Sequence, residues 1–328
     1  MKWFITIFFV LFLVSSVYPL PSQAISEEAI YLLEKPPDGH GGDHKGGHRV
    51  GEESHSEHRA TPLKKLYLNI HDLSGNAKAY VLRPDGSVIE GRLSHEDGAW
   101  SVTFDTKPMD GSMDGVFNLY IMDKQVSDET LLIRVAKMNV INHSCGWGHK
   151  FRFDKERQRP KWLDLIPLEI VAYDLWNGYF HTQTMSGDKI IFSVLYNGRP
   201  VSASVKVRTQ SGWMKMLKTD DNGKGMFQII RDYYPDKWND FKAGKRSSFI
   251  ITAEFGKDEN GFYEGRRYKR VKIVTTLPWK YQPQRKEYTS YAYGLGITVA
   301  FAIAGGLAVY IHREKRKRPY REVRFERD

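Results

Sequence analysis

The sequence predicts an all-β fold: two extracytoplasmic β-sandwich domains followed by one C-terminal transmembrane helix. Three observations predict it. Short runs of alternating apolar and polar residues recur between Lys64 and Leu277, separated by Asp-Gly and Asn-Gly turn pairs. A stretch without any charge, Tyr291 to Ile311, is long enough to cross a hydrocarbon core of roughly 30 Å as a helix. The N-terminus is apolar and ends in small residues.

The N-terminus reads as a secretory signal peptide, residues 1–24. Lys2 precedes an apolar run from Trp3 to Val14, Pro19 and Pro21 break it, and Ser22-Gln23-Ala24 offers a cleavage site after Ala24. Residues 25–60 are polar and rich in glycine and histidine. They lack the apolar surface needed to fold and are expected to be disordered, with Ile30 to Leu33 able to dock locally.

The first predicted sandwich covers residues 61–142. Its strands are "KLYLNIHDL", "NAKAYVLRP", "SVIEGRL", "AWSVTFDT", "VFNLYIMD" and "TLLIRVAKMNVI", with Asp85-Gly86, Asp97-Gly98, Asp110-Gly111 and Asp114-Gly115 as turns or loops. Residues 143–164 connect it to the second sandwich, residues 165–278. There "IIFSVLY" and "VSASVKV" are predicted to pair across Asn197-Gly198. "WMKMLK" and "GMFQII" are predicted to pair across Asp221-Asn222-Gly223, and "SFIITAEF" and "RRYKRVKIVTTL" form the last hairpin. A proline-containing stalk, residues 279–290, leads to the membrane span, residues 291–312, and a basic tail, residues 313–328.

The basic run Arg313 to Arg318 lies immediately beyond the span. By the positive-inside rule the tail is cytoplasmic and residues 25–288 lie outside, the orientation a signal peptide also gives. The formal net charge is +10, and the tail supplies much of it, which argues against a nucleic-acid partner. The cluster Arg266 to Arg270 reads as a solvated strand face. Cys145 is the single cysteine, so no internal disulfide framework holds the fold.

Within the second domain, "IPLEIVAYD", "GDKIIFSVLYNGRPVSASVKV", "KTDDNGKGMFQI" and "SFIITAEF" occur in that order. Together they resemble the periplasmic accessory family found with energy-coupling nickel and cobalt uptake systems. The resemblance covers about Ile166 to Leu277. It implies an extracytoplasmic, immunoglobulin-like sandwich with a role beside transition-metal uptake at the cytoplasmic membrane.

Two stretches carry candidate metal ligands. His40, His44, His48, His55 and His58 fall within nineteen residues, interleaved with Asp38, Asp43, Glu52, Glu53 and Glu57. Neutral imidazoles suit nickel, cobalt, copper or zinc, and glycine lets several rings reach one ion. Ordering each residue opposes binding by roughly 1–2 kcal/mol, so a collector of low selectivity is expected; the alternative is a soluble spacer. His143, Cys145 and His149 form a second nitrogen–sulfur–nitrogen set without a local fourth ligand, or else a glycine-rich bend around a half-buried cysteine.

The remaining candidates are weaker. His71-Asp72 and His95-Glu96-Asp97 read as loop residues. "DDNG" from Asp220 reads as a turn, since the downstream acid of a calcium loop is absent. Trp162, Trp176, Trp213 and Trp238 suit either a sugar-binding shelf or core packing. No nucleophile elbow, zincin helix or phosphate loop occurs, so neither an enzyme nor an organic cofactor is expected. In the span, Ala292, Gly296, Ala300, Ala304 and Ala308 share one helical stripe, the spacing of close helix association with a membrane partner or a second copy. The expected role is therefore accessory metal handling outside the membrane. The alternative is a structural or adhesive surface protein whose β domains bind a protein or glycan.

Overall fold

The computed structural model describes residues 29–37, 63–70, 72–96, 98–106, 114–142, 154–176, 184–230, 247–282 and 285–317. The predicted signal peptide, most of the histidine-rich stretch and residues 318–328 lie outside them. The chain is mostly β-sheet and has one long C-terminal apolar helix. It falls into two units: one holds the strands, and the other holds that helix.

The N-terminal strands are β1 (Leu32–Leu33), β2 (Leu63–Leu68), β3 (Lys78–Leu82), β4 (Val88–Glu96), β5 (Ala99–Asp105), β6 (Gly115–Ser127) and β7 (Thr130–Asn142). A short helix, α1 (Lys155–Gln158), follows. The C-terminal set is β8 (Leu168–Ala172), β9 (Lys189–Tyr196), β10 (Arg199–Pro200), β11 (Ser204–Thr209), β12 (Met214–Lys218), β13 (Lys224–Gln228), β14 (Ser247–Tyr263) and β15 (Arg266–Tyr281). Helix α2 spans Arg285–Arg316.

Eleven strands form one sheet in the order β1-β2-β5-β4-β3-β6-β7-β15-β14-β11-β12, and β8, β9, β10 and β13 form a smaller one. The two strand sets meet where β15 runs parallel to β7, from Arg270↔Thr130 to Thr276↔Ala136. At the other end the large sheet turns a corner within β4, whose Val88–Gly91 pairs with β3 and whose Arg92–Glu96 pairs with β5. Gly91 sits at that bend. A Cβ there would lie 3.0 Å from Val102 and 3.1 Å from Ala79, so the close approach suits glycine.

Two hydrophobic cores result, and the β6–β7 hairpin is the wall between them. Phe117, Leu119, Ile121, Ala136 and Val140 join Leu66, Leu68, Val81, Val102 and Phe104 in the N-terminal core. From the opposite side chains of the same strands, Val116, Tyr120, Leu131, Ile133 and Val135 join Ile170, Phe192, Val194, Phe227, Phe249 and Ile273 in the C-terminal core. Side chains alternate along a strand, so a hairpin buried on both faces must be apolar at successive positions, as "GVFNLYI" is.

The short arm Ala29–Pro37 is held firmly. Ile30 and Leu32 are buried in the N-terminal core. The Ile30 carbonyl accepts from Thr276 Oγ1 of β15 (2.6 Å), and Glu34 pairs with Lys280.

Two pairings and one boundary differ from the sequence expectation. β9 turns back through Asn197-Gly198 into the two-residue β10 only, and the chain then crosses so that β11 pairs with β12 and β14. Likewise β12 and β13 are not a hairpin: β12 lies in the large sheet and β13 pairs with β9. A turn signal marks where the chain reverses, not which sheet it reverses into. Finally, the expected stalk, residues 279–290, overlaps the last strand and the helix. Trp279 and Tyr281 are buried in β15, and α2 begins at Arg285. Pro278, just before that stretch, is itself a residue of β15 and lies beyond the end of the β7–β15 ladder.

Candidate functional site

The metal ligands expected from the sequence, His40, His44, His48, His55, His58, His143, Cys145 and His149, lie outside the described residues. Among the described residues no group of three or more His, Cys, Asp or Glu is placed to hold a metal ion. The ends of the histidine-rich stretch are defined, however. Leu33 pairs with Tyr67 and Leu32 with Leu68, so residues 38–62 connect two adjacent strands.

The most densely charged buried site joins the shared hairpin to β8. Tyr120 and Lys137 are cross-strand partners on β6 and β7. Tyr120 Oη donates to Glu169 Oε1 at 2.6 Å, and Lys137 Nζ donates to the same oxygen at 2.5 Å. Lys137 also donates to the carbonyls of Ile170 (3.0 Å) and Lys161 (3.1 Å), and Glu169 Oε2 accepts from the Leu163 amide (2.9 Å). All three donor positions of the ammonium are therefore used. Burial pushes the Lys137 pKa down, and the Glu169 carboxylate opposes that shift. Burial, then the Glu169 charge and hydrogen bond, hold the Tyr120 hydroxyl well above the ordinary tyrosine range. With every donor satisfied and no open access, this cluster fastens β8 and Lys161–Leu163 to the hairpin. This cluster was missed in the sequence: its one local trace is the single lysine in the run "TLLIRVAKMNVI", which does not by itself mark a buried charge.

A second ion pair, Arg134 with Asp123, spans cross-strand positions of the same hairpin. Arg134 Nε donates at 2.8 Å, and the other Asp123 oxygen accepts from the Ser74 amide at 2.9 Å.

The accessible chemistry lies where β14 and β15 run past their neighbours. An open groove of about 660 Å³ there includes Asp128, Glu254, Phe255, Lys257, Arg270 and Lys272 in its lining. The Phe255 ring packs on Tyr196 (centroids 4.8 Å apart), and Lys257 Nζ sits 5.2 Å from the Tyr196 ring centroid. Tyr196 in turn lines a second hollow of about 400 Å³ with Asn197, Arg199, Pro200 and Val201. The basic cluster lies along this edge: Lys269 pairs with Glu129 (2.8 Å), Arg270 with Asp258 (3.1 Å), and Arg266 reaches the Val126 carbonyl (3.4 Å).

The tryptophans separate into two groups. Trp176 is buried, stacks on Trp279 and donates to the Gln158 carbonyl (2.9 Å). Trp213 packs on the C-terminal core, whereas Trp162 is 52% exposed. Trp238 lies outside the described residues. His95 stacks against Trp100 in the β4–β5 pair (5.0 Å), while His71 and Asp97 lie outside the described residues. The "DDNG" stretch is a hydrogen-bonded turn: the Lys224 amide donates to Asp220 Oδ1 (2.7 Å), and the Gly223 carbonyl accepts from Val194 (2.8 Å).

No known family matches the chain, and no curated relative does. Among solved structures it is similar to a 1.5-MDa bacterial ice-binding adhesin studied for host cell surface retention, with TM-score 0.19 and 9% identity over 66% of this chain and 56% of that one. It is also similar to a DUF4785 family protein from Legionella pneumophila, with TM-score 0.19 and 12% identity over 58% and 46%. A third is a tetra-tandem repeat in the extending region of a large adhesion protein, with TM-score 0.19 and 7% identity over 67% and 45%. The chain thus spans about half the length of the solved chains it matches. At TM-scores this low the likeness carries nothing about function.

Proposed function

We propose that this chain is a non-catalytic surface protein, anchored by α2 with its basic tail in the cytoplasm and its β body presented outside to a partner. The observation that carries the reading is the end of the chain. β15 closes the β body at Tyr281, and α2 includes Ala292–Arg316, whose most apolar 18-residue window has mean hydropathy 2.0 and whose side chains are exposed throughout. An uncovered apolar helix of that length needs lipid. The open groove beside Lys257 and Arg270 supplies the surface for a partner. A photoreactive residue at Lys257 of the full chain on intact cells is expected to give discrete adducts, and one at the exposed Lys215 is not. Equal yields at both positions, or none at either, would sink the reading.

A second reading is favoured by one observation, the five histidines between β1 and β2. It follows the resemblance to nickel and cobalt uptake accessories: the segment gathers late first-row ions for a membrane partner. Because protons compete for imidazole, with an ordinary pKa about 6.5, nickel or zinc uptake by the full chain should weaken toward pH 5. Calorimetry in which the five-alanine variant binds as much metal as the parent would remove this reading.

A further inference from the structure

We propose that Trp162 and the Asn197–Gly198 turn form a binding site for an uncharged, pyranose-containing glycan. The inference rests on the surface-protein reading and names a ligand class for it.

The turn is built to keep this site open. Asn197 and Gly198 have φ of 47° and 72°, the left-handed pair of a two-residue hairpin. A Cβ on Gly198 would sit 3.1 Å from Asp164 Oδ1 and 3.8 Å from Trp162 Nε1. The indole and the carboxylate therefore stand directly against the turn backbone. The Asn197 amide donates to the Pro167 carbonyl at 2.9 Å, which fixes the turn to the segment that carries both side chains.

Four kinds of group lie on the turn and on the segment that adjoins it. Trp162 offers an exposed indole, the flat apolar face on which the C–H side of a sugar ring packs. Asp164 and Arg199 are exposed, and neither has a hydrogen-bond or ion-pair partner among the described residues. Asn197 adds an exposed amide. An acceptor-only carboxylate beside an exposed aromatic ring, with a donor-only guanidinium and a two-way amide on the adjoining turn, matches adjacent sugar hydroxyls, which both donate and accept. A hollow of about 400 Å³, in the size range of small-ligand sites, adjoins the turn on the side of Tyr196, Asn197 and Arg199; Trp162 and Asp164 do not line it. A stable protein interface needs about 800 Å² per partner with an apolar centre, and one indole beside charged groups does not provide that. The opposite charges of Asp164 and Arg199 favour a neutral ligand over an acidic one.

The test uses the full chain in lipid nanodiscs, which avoids sugar-headed detergents, with chitohexaose, cellohexaose and mannohexaose as probes. At least one is expected to bind, read by calorimetry and by tryptophan fluorescence. Trp162→Ala should weaken binding by roughly tenfold or more, the size expected of a central aromatic contact, while Trp162→Phe keeps part of it. Arg199→Ala and Asp164→Asn should each weaken it several-fold. All four side chains are exposed, so unchanged melting will show that the variants fold. Absence of binding by all three probes overturns the proposal, as does binding that survives Trp162→Ala. If the Lys257 adducts persist in either case, the surface role stands and only this site falls.

Discussion

Two long hairpins lie side by side in the large sheet and live in opposite environments. β6–β7 is buried on both faces over most of its length, with Phe117, Leu119, Tyr120, Ile121, Val135 and Ala136 wholly enclosed. β14–β15 is buried only near its base. Past Glu254 on β14 and Arg270 on β15 it outruns the ladders of β11 and β7, and Phe262 near its tip is 75% exposed. The difference follows from neighbours, since both hairpins are rich in β-branched and aromatic residues. The first is covered by strands on both sides, and the second leaves its distal half uncovered. Buried polar groups follow the same division. The enclosed hairpin holds Lys137, Arg134 and Asp123 in fully paired positions, whereas the cations of the open one are solvated and only partly paired.

The comparison breaks most sharply at phenylalanine and lysine positions of the enclosed hairpin. Phe117→Ala is expected to cost about 3–5 kcal/mol, the transfer energy of the ring plus the cavity it leaves. Lys137→Met should cost a similar amount, about 3–5 kcal/mol, because it strands the Glu169 carboxylate in the interior without a cation. Adding Glu169→Leu should then recover much of the loss, since two apolar residues need no desolvated charge. Urea unfolding of the full chain, followed by tryptophan fluorescence, measures each. A Lys137→Met protein as stable as the parent would show that β8 is not fastened through this ion pair.

A smaller effect is expected at Tyr120, and it has a pH signature. Tyr120→Phe removes one hydrogen bond to a buried carboxylate, worth about 1.5–3 kcal/mol. The folded pKa of Tyr120 lies above its unfolded value of about 10. Its stabilising contribution is thus complete below pH 10 and is lost as pH rises from there toward the folded pKa, because only the unfolded chain releases the proton. The phenylalanine variant should therefore lose less stability than the parent between about pH 10 and 11. Parallel alkaline limbs for the two proteins would contradict the buried, protonated hydroxyl.

Strand positions were legible in the sequence because alternation and turn pairs are local. "NAKAYVLRP", "SVIEGRL" and "AWSVTFDT" became β3, β4 and β5 with small shifts at their ends. Partnership was not legible. Nothing local distinguishes a strand that pairs back from one that crosses to the other sheet, which is why β11 and β13 were assigned to the wrong neighbours. The parallel β7–β15 contact joins residues about 140 positions apart and leaves no periodic trace. Of the candidate sites, the histidine segment was visible from composition alone. The Tyr120–Lys137–Glu169 cluster was not, because a lysine within an alternating strand reads as a solvated face until the covering layer is known. For the same reason Trp162 and Trp176 looked equivalent, although one is exposed and the other enclosed.

The smallest expected effect sharpens the comparison from the open side. Phe262 is the same residue type as Phe117, sits in a hairpin of the same sheet, and pairs across the strands with Arg267. Its ring has already kept most of its contact with water in the folded state, so truncation removes little buried surface and leaves no cavity. Phe262→Ala is expected to change stability by less than about 0.5 kcal/mol. The ratio between the two phenylalanine variants is the useful quantity, because a shared error in the denaturant slope cancels in it. A loss at Phe262 comparable to that at Phe117 would mean that the tip is covered in solution, by a second copy of the chain or by the membrane. The division between an enclosed wall and an open end would then belong to the isolated chain alone.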